Sequence, residues 1–141
     1  MSAPETPPSI RDFEEPKLEA IIELMFLAAF ADGDFGEEER VHFVGSIESL
    51  TDRRIQGDTL GRLVTRIVAD LQAEGRSARL ASVNARLAEP AARRAALGLA
   101  IQVTAADGII RTSERELILA AAEALEIDRD EAADLVTSLT R

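Results

Sequence analysis

Apolar residues recur along this chain every three or four positions, the spacing of one face of an α-helix. Leu18, Ile21, Ile22, Met25, Ala28 and Ala29 predict a first helix from Pro16 to near Ala31, with the proline suited to a first helical turn. Val41, Val44, Ile47 and Leu50 form a stripe on a second helix from Glu37 to Leu50. Leu60, Leu63, Val64, Ile67, Val68 and Leu71 mark a third, with Asp58 placed to cap its start and Gly75 its stop. Ser77 is placed to cap a short fourth helix carrying Leu80, Val83 and Leu87, and Pro90 opens a fifth that runs to near Ala106. The run ARRAALGLAIQV in that fifth helix is Ala-rich on several sides, as expected of a central helix packed by neighbours. A sixth covers Ser113 to Leu125. A seventh begins at DRDE, where Asp128 and Glu131 make a capping-box pattern ahead of Ala132, Leu135, Val136 and Leu139. No segment alternates apolar and polar residues, so the expected fold is all-α, one compact domain of about seven helices. Its expected core includes Leu63, Ile67, Leu99, Val103 and Leu135.

Length and composition narrow this picture. A chain of 141 residues is enough for one ordinary domain. Residues 1–11 open with MSAPETPPS, which holds three of the five prolines. They read as a disordered lead to a domain over residues 12–141. Hydrophobic residues make up 46% and aromatic residues 4%, so the core must be built from Ala, Leu, Ile and Val. There is no cysteine, which excludes thiol catalysis, disulfides and zinc–thiolate sites. The expected location is cytoplasmic: the start lacks the basic and apolar run of a secretory signal, and no transmembrane segment is expected because no apolar stretch is long enough to span a bilayer.

The net charge of −10 is unevenly spread, at −9 over residues 1–50, +4 over 51–94 and −5 over 95–141. An acidic total without Trp or Tyr argues against nucleic acid, which needs cations for its phosphates and rings for its bases. Enzyme classes also fall away. The chain's one histidine, His42, lies off the stripe of its helix, and there is no glycine-rich phosphate loop after a strand and no Gly-x-Ser-x-Gly elbow. A non-enzymatic domain is expected.

The strongest local signal is a repeat. FADGDFGEEER (residues 30–40) and AADGIIRTSER (residues 105–115) share the frame Ala-Asp-Gly, five residues, Glu-Arg, at an offset of 75. Leu24 with Leu99 and Leu50 with Leu125 extend the register. The chain therefore holds two related helix–loop–helix hairpins. Each residue of the frame has a structural use. Gly33 and Gly108 suit a left-handed residue just past a helix end. Asp32 and Asp107 can hydrogen-bond the amides of their own turn, Phe35 and Ile110 can be buried, and Glu39 and Glu114 fall where the helix dipole favours negative charge. The same loops also carry a surplus of carboxylate oxygen, the donor type that holds hard cations such as calcium or magnesium. The candidate ligands are Asp32, Asp34, Glu39, Asp107 and Glu114. An EF-hand does not fit, because a pattern started at Asp32 puts Gly36 at a ligand position, Glu37 where glycine is needed and Phe43 where the bidentate glutamate belongs.

These paired loops, with RLASVNARLAEPAARRAALGLAIQV leading into the second copy, resemble the TerB-like family, named for tellurite-resistance protein TerB. The resemblance spans nearly everything after residue 12. It implies a single-domain helical protein, alone or fused to modules such as J-domains, linked to tellurite and stress response and without an established enzymatic activity. It further implies that loop acids bind a divalent metal, the family's aspartates falling on Asp32 and Asp107 and its helix-start glutamates on Glu39 and Glu114. Arg111 stands where a small capping residue is common, so the second loop carries a cation beside its acids. Two functions stay open: a divalent-cation-binding stress-response domain, and a metal-free interaction module with an acidic surface. An unidentified protein partner is expected in either case, and a membrane-associated complex is one candidate setting. Whether the two loops face each other separates the two functions.

Overall fold

Among the described residues seven helices form where the apolar spacing places them: α1 (Glu15–Ala29), α2 (Glu37–Leu50), α3 (Gly57–Glu74), α4 (Arg76–Arg86), α5 (Pro90–Thr104), α6 (Thr112–Ala124) and α7 (Arg129–Leu139). The computed structural model describes residues 15–31, 33, 36–51, 53, 55–105 and 110–139, and among them there is no strand. The lead 1–11 lies outside the described residues.

The start signals differ from expectation at three helices. Asp58 and Ser77 do not cap; they lie in the first turns of α3 and α4, because Gln56 and Gly75 occupy the N-cap positions. Glu48 of α2 instead accepts the backbone N–H of Gly57 at 2.9 Å, satisfying one of the orphan donors of α3. At α7, Asp128 accepts the first intrahelical bond from Ala132 at 2.9 Å through its backbone carbonyl. Glu131 does not fold back to complete a capping box; its carboxylate meets Arg94 of α5 at 2.7 Å.

The centre of the fold is the pair α1 and α5, which pack on each other more extensively than any other two helices. Every described side chain of α1 from Ala20 to Ala28 is buried. A helix sealed on all sides needs apolar residues on all sides, and AIIELMFLA provides them with one exception, Glu23. In α5 the buried positions are Ala92, Ala96, Leu97, Ala100, Ile101 and Thr104, and of these Ala92, Ala96, Ala100 and Thr104 put small residues at four-residue spacing, which lets neighbouring helices approach closely. Leu63 and Ile67 are buried as expected, but Leu99, Val103 and Leu135 are only half-buried at the edge of the core. In an Ala-rich helix the apolar residues run round the cylinder, so spacing alone does not set which side faces in. The α2 stripe is likewise displaced: Phe43 and Ile47 are buried, whereas Val41 is 64% exposed.

Glu23 is 1% exposed and must be compensated where it lies. Arg79 of α4 grips it bidentately, Nε to Oε2 at 2.6 Å and Nη2 to Oε1 at 2.8 Å. Arg86, two turns on, donates to the same Oε1. Glu74 and Asp70 of α3 approach the outer side of Arg79 at 3.2 and 3.7 Å. The hydrogen bond and charge of Glu23 push the Arg79 guanidinium above its already high ordinary value, against the opposing effect of burial.

Two outcomes follow from this packing. Leu97→Ala should cost about 2–5 kcal/mol in chemical denaturation and Leu99→Ala clearly less; equal losses would refute the facing of α5. Glu23→Ala should cost about 3–5 kcal/mol, because it leaves two guanidinium groups facing an apolar interior. A melt of the Glu23→Ala variant that overlays wild type would show the cluster to be incidental.

Candidate functional site

Adding 75 to the bounds of α1 gives the bounds of α5 residue for residue, and adding 75 to the first residue of α2 gives the first residue of α6. The helices on either side of the two loops therefore stand at equivalent sequence positions. Gly36 and Arg111 are the N-cap residues, both in extended backbone, and Glu39 and Glu114 each stand third in the helix that follows. Both glutamates turn back over their own helix start. Glu114 Oε1 accepts the backbone N–H of Arg111 at 2.8 Å and lies 3.9 Å from its guanidinium, with the side chain nearly buried. Glu39 reaches over Gly36, where a Cβ would fall 2.5 Å from Oε2. A bare N-cap thus lets the first glutamate sit close to the chain.

These helix starts open on one cavity of about 540 Å³. Its floor is Ala29, Phe30, Phe43 and Val103, and its polar rim is Glu38, Glu39, His42, Arg111 and Glu114. Phe26, Phe30 and Phe43 hold the floor together with ring centroids 4.8 to 5.6 Å apart, two of the three pairs edge to face. Two glutamates 75 residues apart in sequence are thereby brought to one space. Asp32, Asp34 and Asp107, with Phe35 and Gly108, lie outside the described residues. Among the described residues no three His, Asp or Glu side chains are grouped to hold a metal ion.

Gly33 is left-handed, φ +81°, and its N–H bonds the Phe30 carbonyl at 3.0 Å, closing the turn that ends α1. Ile110 packs against the core from the second loop. Three further residues that apolar spacing does not single out hold the helices around the site. Arg76 of α4 donates to the carbonyl of Ala31 at 2.8 Å and ties the first loop to the helical core. Arg40, from the repeated Glu-Arg, links α2 to α3 through the Gly61 carbonyl at 3.1 Å and Thr65 Oγ1 at 2.6 Å. Glu23, which sets the position of α4, had one visible signal: a lone carboxylate inside the apolar run IIELMF.

Two helical hairpins at a fixed offset, each with a glutamate third in its second helix and both opening on a shared cavity, define a duplicated all-α domain. The family model described as Tellurite resistance protein TerB matches residues 19–136, and the chain belongs to that family. No curated protein and no solved structure matches the chain. No helix among the described residues is long and apolar enough to cross a membrane.

Among the described residues nothing lies within 4 Å of a Cβ placed on Gly33, and its positive φ is what opposes replacement. Gly33→Ala should lower stability by about 1 kcal/mol in denaturant titration, and Gly33→Asn by less, since Asn tolerates the left-handed region. Equal stability of all three would show that the turn does not require glycine.

Proposed function

We propose that this TerB-family chain is a non-catalytic domain that holds a divalent cation, calcium or magnesium, where the helix starts that follow its two acidic loops open on one cavity. We infer further that it serves a metal or oxyanion stress response in the cytoplasm, alongside a protein partner. The observation that carries the reading is that Glu39 and Glu114 line the same cavity, although nothing in a tandem repeat obliges its two copies to converge. Neither glutamate is a complete site. Glu114 Oε1 already serves its helix start, and calcium takes roughly six to eight oxygens. Asp32, Asp34 and Asp107 are the residues that would supply the remainder. The Arg111 guanidinium, 3.9 Å from Glu114, disfavours a cation on the second copy's side and weights the proposed site towards the first loop.

A test must separate a site from general screening, because any divalent ion relieves the self-repulsion of a chain at −10. Asp32→Asn removes one charge and one proposed ligand. Glu123→Gln removes one exposed charge at the far end of α6. A specific site adds about 2.7 kcal/mol when free metal is about a hundred times its Kd, which raises the Tm of a domain this size by several degrees. With calcium or magnesium at about 1 mM, wild type and Glu123→Gln should shift alike and Asp32→Asn much less. Equal shifts in all three would reduce the loops to helix starts and leave the domain a metal-free interaction module.

A further inference from the structure

A second cavity of about 550 Å³ continues the first along α2. His42, Ser46 and Val103 border both, and the second extends to Val41, Ser49, Leu50 and Gln102. Together they form a groove between α2 and α5 from Glu38 to Leu50, roughly 20 Å at the helical rise per residue.

The repeat shows that this opening is a property of the sequence and not of the architecture. Positions 42, 46 and 102 correspond, at the 75-residue offset, to Leu117, Ala121 and Leu27, all three buried. In that equivalent seam α6 lies against α1, whereas α2 stands away from α5. Histidine, serine and glutamine replace leucine, alanine and leucine on both walls of one seam, and among the described residues that seam is open. Val41, the one large hydrophobic residue that is exposed among the described residues, lies along it with the half-buried Leu50 and Val103.

We propose that the groove between α2 and α5 is the docking site for a basic amphipathic helix of a partner protein. An apolar line flanked by polar side chains, about three and a half turns long, suits a helix laid in a groove. Charge chooses the kind of helix: Glu38, Glu39 and Glu114 stand at one end, opposed there by Arg111, and the first fifty residues carry −9. A second copy of this chain is poorly equipped to be the occupant. In its basic middle Arg79 and Arg86 are held by the buried Glu23, and Arg66 and Arg94 are already paired at the surface with Glu19 and Glu131. The inference does not rest on the bound cation, and its test is made in chelator.

The probe is a labelled Leu/Lys peptide of about fourteen residues with leucines at helical spacing, compared with its Leu/Glu counterpart, at about 0.15 M salt with EDTA. The Lys peptide should bind wild type with a Kd in the micromolar range, and the Glu peptide should not bind. Val41→Lys, which removes an apolar contact at an exposed position and repels the Lys peptide, should weaken binding by about tenfold or more. His42→Leu with Ser46→Ala, which restores the side chains of the second repeat, should close the seam, abolish binding and melt at or above wild type, so that lost binding is not lost fold. Glu123→Gln should bind as wild type does. Equal binding of both peptides, binding unmoved by the groove variants, or no binding up to about 1 mM would each overturn the proposal. Concentration-dependent self-association that vanishes in the double variant would also overturn it, by assigning the groove to a second copy.

Discussion

A carboxylate in the middle of the most deeply buried helix constrains the rest of this molecule. Glu23 has water on no side, and an ionised group there is tolerable only with cations in fixed geometry. Both cations come from α4, through Arg79 and Arg86, so α4 can pack on α1 in one register and rotation only. Arg76 stands one turn before Arg79 on that helix, and its reach to the Ala31 carbonyl holds the chain just past the end of α1. A charge cluster near the centre of the fold thus also orients the helix that holds the end of α1.

The same constraint explains why α3 and α4 separate the two hairpins. The hairpins alone would duplicate α1–α2 as α5–α6, and the central contact of α1 with α5 would bury Glu23 without a partner. The middle helices supply the partner, and Glu74 and Asp70 of α3 then hold the outer side of Arg79. Residues 51–94 carry a net positive charge, and two of their arginines, Arg79 and Arg86, are engaged by Glu23, while Arg53, Arg62, Arg66, Arg76 and Arg94 remain exposed.

The sequence made the helix order, the ends of α1, α2 and α5, and the repeat legible, because helical spacing, Pro90 and the glycines at 33 and 75 are local signals. It did not make legible the facing of α5, where Ala and Leu run round the cylinder, or the partner of Glu23, which lies 56 residues away. It placed Val41 on the wrong side because an apolar stripe reports a preference for burial, whereas Phe43 takes the inner place by packing on Phe26 and Phe30. Of the candidate ligands, Glu39 and Glu114 could be given helix-start roles from their third positions alone. Their convergence on one cavity could not, since it depends on how two hairpins dock across α1 and α5.

The two copies have diverged in a consistent direction. In the second, Glu114 is nearly buried, and Leu117, Ile118, Ala121 and Ala122 seal α6 against its neighbours. In the first, Glu39 is exposed, and only Phe43 and Ile47 of α2 are buried. Arg40 must reach across to α3 to hold α2, while Arg115, its counterpart, is exposed on a helix already secured by packing. A helix held by two buried aromatic or aliphatic anchors and one arginine can change its neighbours at low cost, whereas a sealed one cannot. Duplication therefore leaves one hairpin to stabilise the domain and the other free to present a groove, and the polar side chains at 42, 46 and 102 are where that division is written.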